Sequence, residues 1–119
     1  MNIKFWTIVL GVGMSIAGLA HFLVTRKYLP IVPKFFPQRM AIVVISGIIE
    51  LGAGVGLFIP AVRKEAALVV LLLMIAFLPL HAWDMFRDRP AMGSPMVAVI
   101  RFVLQFVLIY WAWRVWRAS

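Results

Sequence analysis

Four long apolar runs, separated by short clusters of charged residues and prolines, organise the chain. They cover about residues 3–24, 40–59, 66–83 and 96–113. At roughly 1.5 Å per residue each helical run reaches roughly 27–33 Å, the thickness of a bilayer's hydrocarbon core. Lipid offers the backbone no hydrogen-bond partners, so runs of this length are predicted to be helices that satisfy themselves. The pattern therefore predicts an all-α, integral membrane four-helix bundle, with residues 1–119 forming one transmembrane domain.

The breaks carry their own signals. Pro30, Pro33 and Pro37 fill the first connection, with Arg26, Lys27, Lys34 and Arg39 around them. Such a segment cannot form a straight helix. Phe35 and Phe36 between the prolines place it along the membrane interface. Pro60 closes the second run, and Arg63 and Lys64 hold the turn into the third. Asp84, Arg87, Asp88 and Arg89 mark the third connection. Ser94-Pro95 then supplies a capping side chain followed by proline at the first helical position. The first run is too long for the core of a cleaved signal and lacks a small-residue exit, so it is expected to be a span.

Composition strengthens this picture. Of 119 residues, 65% are hydrophobic and only 13% charged, against roughly 45–50% and about 25% in globular domains. The mean hydropathy is +1.04. The net charge of +8 raises nucleic acid as a partner, but the basic residues sit beside the ends of apolar runs. There they meet lipid headgroups, so the bilayer is the expected partner and nucleic acid is not. The chain has no cysteine, which excludes thiol chemistry, disulfides and cysteine metal sites.

Aromatic residues fall into two belts. Trp6, Tyr110, Trp111, Trp113 and Trp116 mark the face that holds both termini; Tyr28 and Trp83 mark the opposite, far face. Basic residues divide almost evenly between the two faces, so the positive-inside rule assigns no orientation.

Against this background the polar residues within the runs stand out, because an ionisable group inside a span is costly unless paired. His21 lies in the first run, Ser46 and Glu50 in the second, His81 in the third with Asp84 just beyond it, and Arg101 and Gln105 in the fourth. His21 and His81 lie roughly 3–5 Å inside the far face, Arg101 and Ser46 roughly 8–9 Å, and Glu50 and Gln105 roughly 14–15 Å. The near half of the membrane has no comparable group. Ser46 and Glu50 are four apart, as are Arg101 and Gln105, so each pair shares a helix face. His21 shares one with Gly13 and Ala17, small residues that suit close helix approach, and Gly52 and Gly56 form a GxxxG pair. The polar faces are expected to converge on one pocket toward the far face, lidded by the proline-rich segment. A Glu50–Arg101 ion pair would fix helix register, yet register needs only one pair and this set has surplus donors and acceptors. The six residues His21, Ser46, Glu50, His81, Arg101 and Gln105 are therefore the candidate ligand contacts. His21 alone would read as an interfacial histidine, and Asp84 either orients His81 or pairs with Arg87.

Several segments together resemble the DoxX-like family of small bacterial membrane proteins. They are Gly18-Leu-Ala-His-Phe22, Tyr28-Leu-Pro-Ile-Val-Pro33 with Pro37, and Ser46-Gly-Ile-Ile-Glu50 with Gly54 and Leu57. Ile59-Pro60 before Arg63, Pro79 with His81, and Arg101 with Gln105 complete the set. The likeness spans nearly the whole chain. It departs at Pro79-Leu-His81, where many relatives carry Pro-Ala-Asn. The resemblance implies a four-helix bundle in the bacterial cytoplasmic (inner) membrane. Since some relatives look like subunits of thiosulfate:quinone oxidoreductase, it also implies an association with redox chemistry and quinone.

The expected function is thus to bind a small lipophilic, quinone-like ligand in an intramembrane polar pocket, as a redox-associated membrane subunit. Arg101, Gln105, His21 and His81 would hydrogen-bond the headgroup and Glu50 would take part in proton transfer. Three alternatives stay open: a stand-alone membrane enzyme acting on a lipid by acid–base chemistry, a haem protein with His21 and His81 as axial ligands, and a structural accessory subunit. Haem is the least favoured of the cofactors, and no metal site is expected. Small size suits a homo-oligomer or membership of a larger redox complex.

Overall fold

The computed structural model describes residues 2–87 and 94–119. Four long helices, α1 (Ile3–Leu23), α3 (Arg39–Gly56), α4 (Arg63–Met85) and α5 (Pro95–Ala118), form an all-α bundle, with a short α2 (Thr25–Tyr28) between α1 and α3. All four long helices are long and apolar enough to cross a membrane. Their outward faces carry Ile16, Ile48, Leu72, Val103 and Val107, all exposed. That inversion of the soluble pattern is what lipid as solvent requires, and the chain is a multi-pass membrane protein.

Local chemistry sets the boundaries. Asn2 caps α1 by accepting from the Phe5 N–H. At its other end the Thr25 hydroxyl donates to the carbonyls of His21 and Phe22, satisfying groups that a helix end leaves orphaned. The Ser94 hydroxyl accepts from Val97 N–H at 3.2 Å, with Pro95 in the first turn of α5. The second span stops at Gly56, short of its apolar run, because the chain tightens there into successive four-residue turns (Phe58 N–H to Val55 O, Ile59 N–H to Gly56 O). Arg63 Nε then donates to Leu57 O and fastens that turn to the start of α4. Helices α4 and α5 run beyond their apolar runs, since helical hydrogen bonding continues past the hydrocarbon. Pro79 lies inside α4 without ending it.

Glycine brings α1 and α3 together. A Cβ on Gly18 would lie 2.5 Å from Leu51 N, one on Gly47 2.6 Å from His21 Cβ, and one on Gly54 2.7 Å from Ser15 N. Packing of small residues is what drives helix association where the solvent is as apolar as the side chains. At Gly13 and Gly52, by contrast, an added Cβ would meet nothing within 4 Å. The expected roles of Gly13 in close approach and of Gly52 in a GxxxG contact are therefore corrected: Gly11, Gly18, Gly47 and Gly54 form the seam, and Gly56 meets Ala66 instead.

Packing is uneven along the bundle axis. Near the termini, Leu10, Leu57, Val70, Ala112 and Val115 make a dry core. There Trp111 Nε1 donates to Trp6 O at 3.0 Å, with the two rings edge to face at 5.4 Å. Toward the far face the four helices leave a cavity.

Candidate functional site: a polar cavity among the four spans

The cavity has a volume of about 310 Å³, within the range of small-molecule pockets. All six candidate residues, His21, Ser46, Glu50, His81, Arg101 and Gln105, line it. Each long helix contributes at least one. Glu50, His81 and Gln105 are 3%, 7% and 1% exposed; His21, Ser46 and Arg101 are half-buried.

The side chains differ in how far their hydrogen bonding is met. Ser46 Oγ donates to Val43 O at 2.9 Å, closing on its own helix. Gln105 Nε2 donates to Met74 O at 2.8 Å, tying α5 to α4 one turn ahead of Pro79. His21 Nδ1 donates to Ala17 O at 2.7 Å, which places the ring proton on Nδ1, and the same atom lies 3.4 Å from Glu50 Oε2. The His21 ring stacks on Tyr28, with centroids 4.2 Å apart and planes 15° apart. Two buried atoms, Glu50 Oε2 and His81 Nδ1, have no hydrogen-bond partner among the described residues. Buried polar atoms in folded proteins are rarely left so.

Arg101 does not pair with Glu50: no ion pair joins them within 4.0 Å. The carboxylate faces His21 instead, from the neighbouring helix of the glycine seam. The close α1–α3 approach at Gly47 delivers the His21 ring to Glu50, while α5 stands across the cavity. Arg101 has no hydrogen-bond or ion-pair partner among the described residues. It is a cation on a membrane-spanning helix, and its charge acts through space on Glu50 and His81 in the same cavity.

Asp84 is fully buried and lies 3.2 Å from Arg87 Nη1. Arg87 also donates to Pro30 O at 2.6 Å and lies over the Trp83 ring at 4.5 Å. Arg39 grips the same segment from α3, donating to Leu29 O at 2.6 Å and Val32 O at 3.2 Å. The proline-rich connection is thus pinned across the far end of the cavity, presenting Tyr28, Ile31 and Val32 to it. Asp88 and Arg89 of the third connection lie outside the described residues.

The sequence pattern read Tyr28 as a belt aromatic, whereas it is turned inward onto His21. Its one signal is its spacing of seven from His21, blurred by the helix break between them. Arg39 and Arg87 read as interfacial charges; their carbonyl partners depend on the path of an irregular segment. Gly13 forms part of the wall because its missing side chain leaves room. No group of three or more His, Cys, Asp or Glu able to hold a metal occurs among the described residues.

Comparisons with curated proteins and with solved structures return no match. The family described as a domain of unknown function (DUF8561) matches residues 10–116. That stretch takes in every polar residue of the cavity, its lid and nearly all of the four spans, and the chain belongs to this DUF8561 family.

Proposed function

We propose that this chain is a membrane subunit that binds a small lipophilic, quinone-like molecule in the cavity among its four spans. The observation that carries the reading is Arg101, a half-buried cation on the cavity wall with no hydrogen bond and no ion pair within 4.0 Å among the described residues. Leaving it so inside a membrane is costly, and a ligand oxygen would offset the cost. Glu50 Oε2 and His81 Nδ1, buried without hydrogen-bond partners there, add an acceptor and a second ring nitrogen on the same cavity. A quinone-type head fits this set: a carbonyl accepts from Arg101, and a hydroxyl in its reduced form donates to Glu50. Such a ligand, when bound, would supply the two-electron chemistry; the protein holds the head, excludes water through its lid and offers Glu50 for a proton.

The DoxX-like resemblance supports the same reading and, with it, a place in the bacterial inner membrane and in a redox complex or homo-oligomer. The test is equilibrium dialysis of the detergent-solubilised protein with the tail-less probe 2,3-dimethoxy-5-methyl-1,4-benzoquinone against empty micelles. Saturable binding is expected for the wild type, weakened about tenfold or more in Arg101→Ala. Equal uptake by protein-loaded and empty micelles would refute the proposal.

A further inference from the structure

We infer that the ligand is a tailed amphiphile that reaches the cavity sideways from the bilayer, through a slot between α1 and α5, with its tail left at the membrane midplane. This rests on the ligand-binding reading above and names the class of molecule it concerns.

His21, His81 and Arg101 line the far part of the cavity, while Glu50 and Gln105, roughly 14–17 Å deep, share the level of its deeper apolar wall. At roughly 1.5 Å per residue, His21, His81 and Arg101 lie roughly 3–9 Å from the far ends of their helices, whereas Gly13, Leu104 and Leu108 lie roughly 14–20 Å in. A head held by the first group leaves the rest of the molecule to extend along Leu104 and Leu108 at the level of Glu50 and Gln105. The lid covers the other direction: three arginine hydrogen bonds, to Leu29 O, Pro30 O and Val32 O, hold it in place, and its own Val32 is buried.

The side between α1 and α5 is open. The indole hydrogen bond of Trp111 to Trp6 O joins these helices near the termini; no hydrogen bond joins them around the cavity among the described residues. Gly13 on α1 and Leu104 on α5 both line the cavity and are both exposed. In a bilayer that exposure faces lipid tails. Gly13 has nothing within 4 Å of where a Cβ would be, so the gap is not filled by a neighbouring side chain. A molecule already dissolved in the membrane meets the slot at the depth where its tail resides.

The experiment compares decylubiquinone with its tail-less parent, 2,3-dimethoxy-5-methyl-1,4-benzoquinone, each measured against its own uptake by empty micelles. The wild type is expected to hold the tailed probe about tenfold or more tightly than the tail-less one after that correction. Gly13→Leu, which adds bulk into open space, and Leu104→Trp, from the opposite wall, are each expected to bring that ratio close to one. A wild-type ratio near one, or a ratio that survives both substitutions, overturns the inference while leaving the headgroup site standing. Failure of the wild type to hold either probe overturns the ligand-binding reading and this inference with it.

Discussion

At the scale of single residues, the protein divides its glycines between contact and space. Gly18 touches the backbone of α3, and Gly13 faces open space. Gly18→Ala would push a methyl group to 2.5 Å from Leu51 N, where only backbone can give way. A cost of about 1–3 kcal/mol, typical of overpacking, is expected. Gly13→Ala meets nothing and gains up to about 1 kcal/mol of helix propensity. Denaturant unfolding in detergent micelles should therefore move the two variants in opposite directions; equal shifts would contradict the assignment of the seam. The two glycines look alike in sequence, since both sit on an apolar helix among small neighbours. Only the crossing of α1 over α3 tells them apart. The polar residues were more legible: a buried Glu, His or Arg in an apolar run has few reasons to be there, and depth counted from run ends brought all six to one level range. Their pairing was not legible. Glu50 and Arg101 are the obvious opposite charges, yet Glu50 meets His21, because pairing follows which helices touch and not which charges attract.

At the scale of elements, the four helices follow from run length, capping residues and prolines. The sequence misjudged their ends wherever hydrogen bonding, not apolarity, decided them: α3 stops three residues before its run ends, at Gly56, and α5 continues to Ala118. The proline-rich connection was legible as irregular and as a lid, but not as a pinned one. Its carbonyls are gripped by Arg39 and Arg87, long side chains whose partners lie on a path that no periodicity describes. Hydrogen bonds to charged groups contribute about 1.5–3 kcal/mol each, so these contacts hold the segment closed. The double variant Arg39→Ala/Arg87→Ala is expected to release it. Limited trypsin digestion should then cut at Arg26, Lys27 or Lys34 several times faster than in the wild type, with the spans still folded by circular dichroism. An unchanged digestion rate would show that the lid is held by other means.

At the scale of the whole molecule, the end near the termini has a packed apolar core with a cleft at its surface, and the other end encloses the polar cavity. The packed core, built on Leu10, Leu57, Val70 and Val115 with the Trp6–Trp111 contact, gives the four spans a firm base. The cavity end keeps apart groups that a merely structural bundle would have paired. Among the described residues, Arg101 makes no hydrogen bond and no ion pair within 4.0 Å, and Glu50 Oε2 and His81 Nδ1 have no hydrogen-bond partner, Glu50 Oε2 lying 3.4 Å from His21 Nδ1. A membrane protein that selects only for stability would replace them with apolar residues at a gain. Their presence in the cavity is the reason to read it as a binding site. The most direct measurement is mass spectrometry of the small molecules that co-purify with the wild-type chain and with Arg101→Ala in mild detergent. The account predicts a tailed, oxygen-headed lipid, quinone-like, near one per chain in the wild type and depleted in a variant that remains folded. A wild-type protein free of any such molecule, or one whose content is untouched by the loss of Arg101, would contradict it.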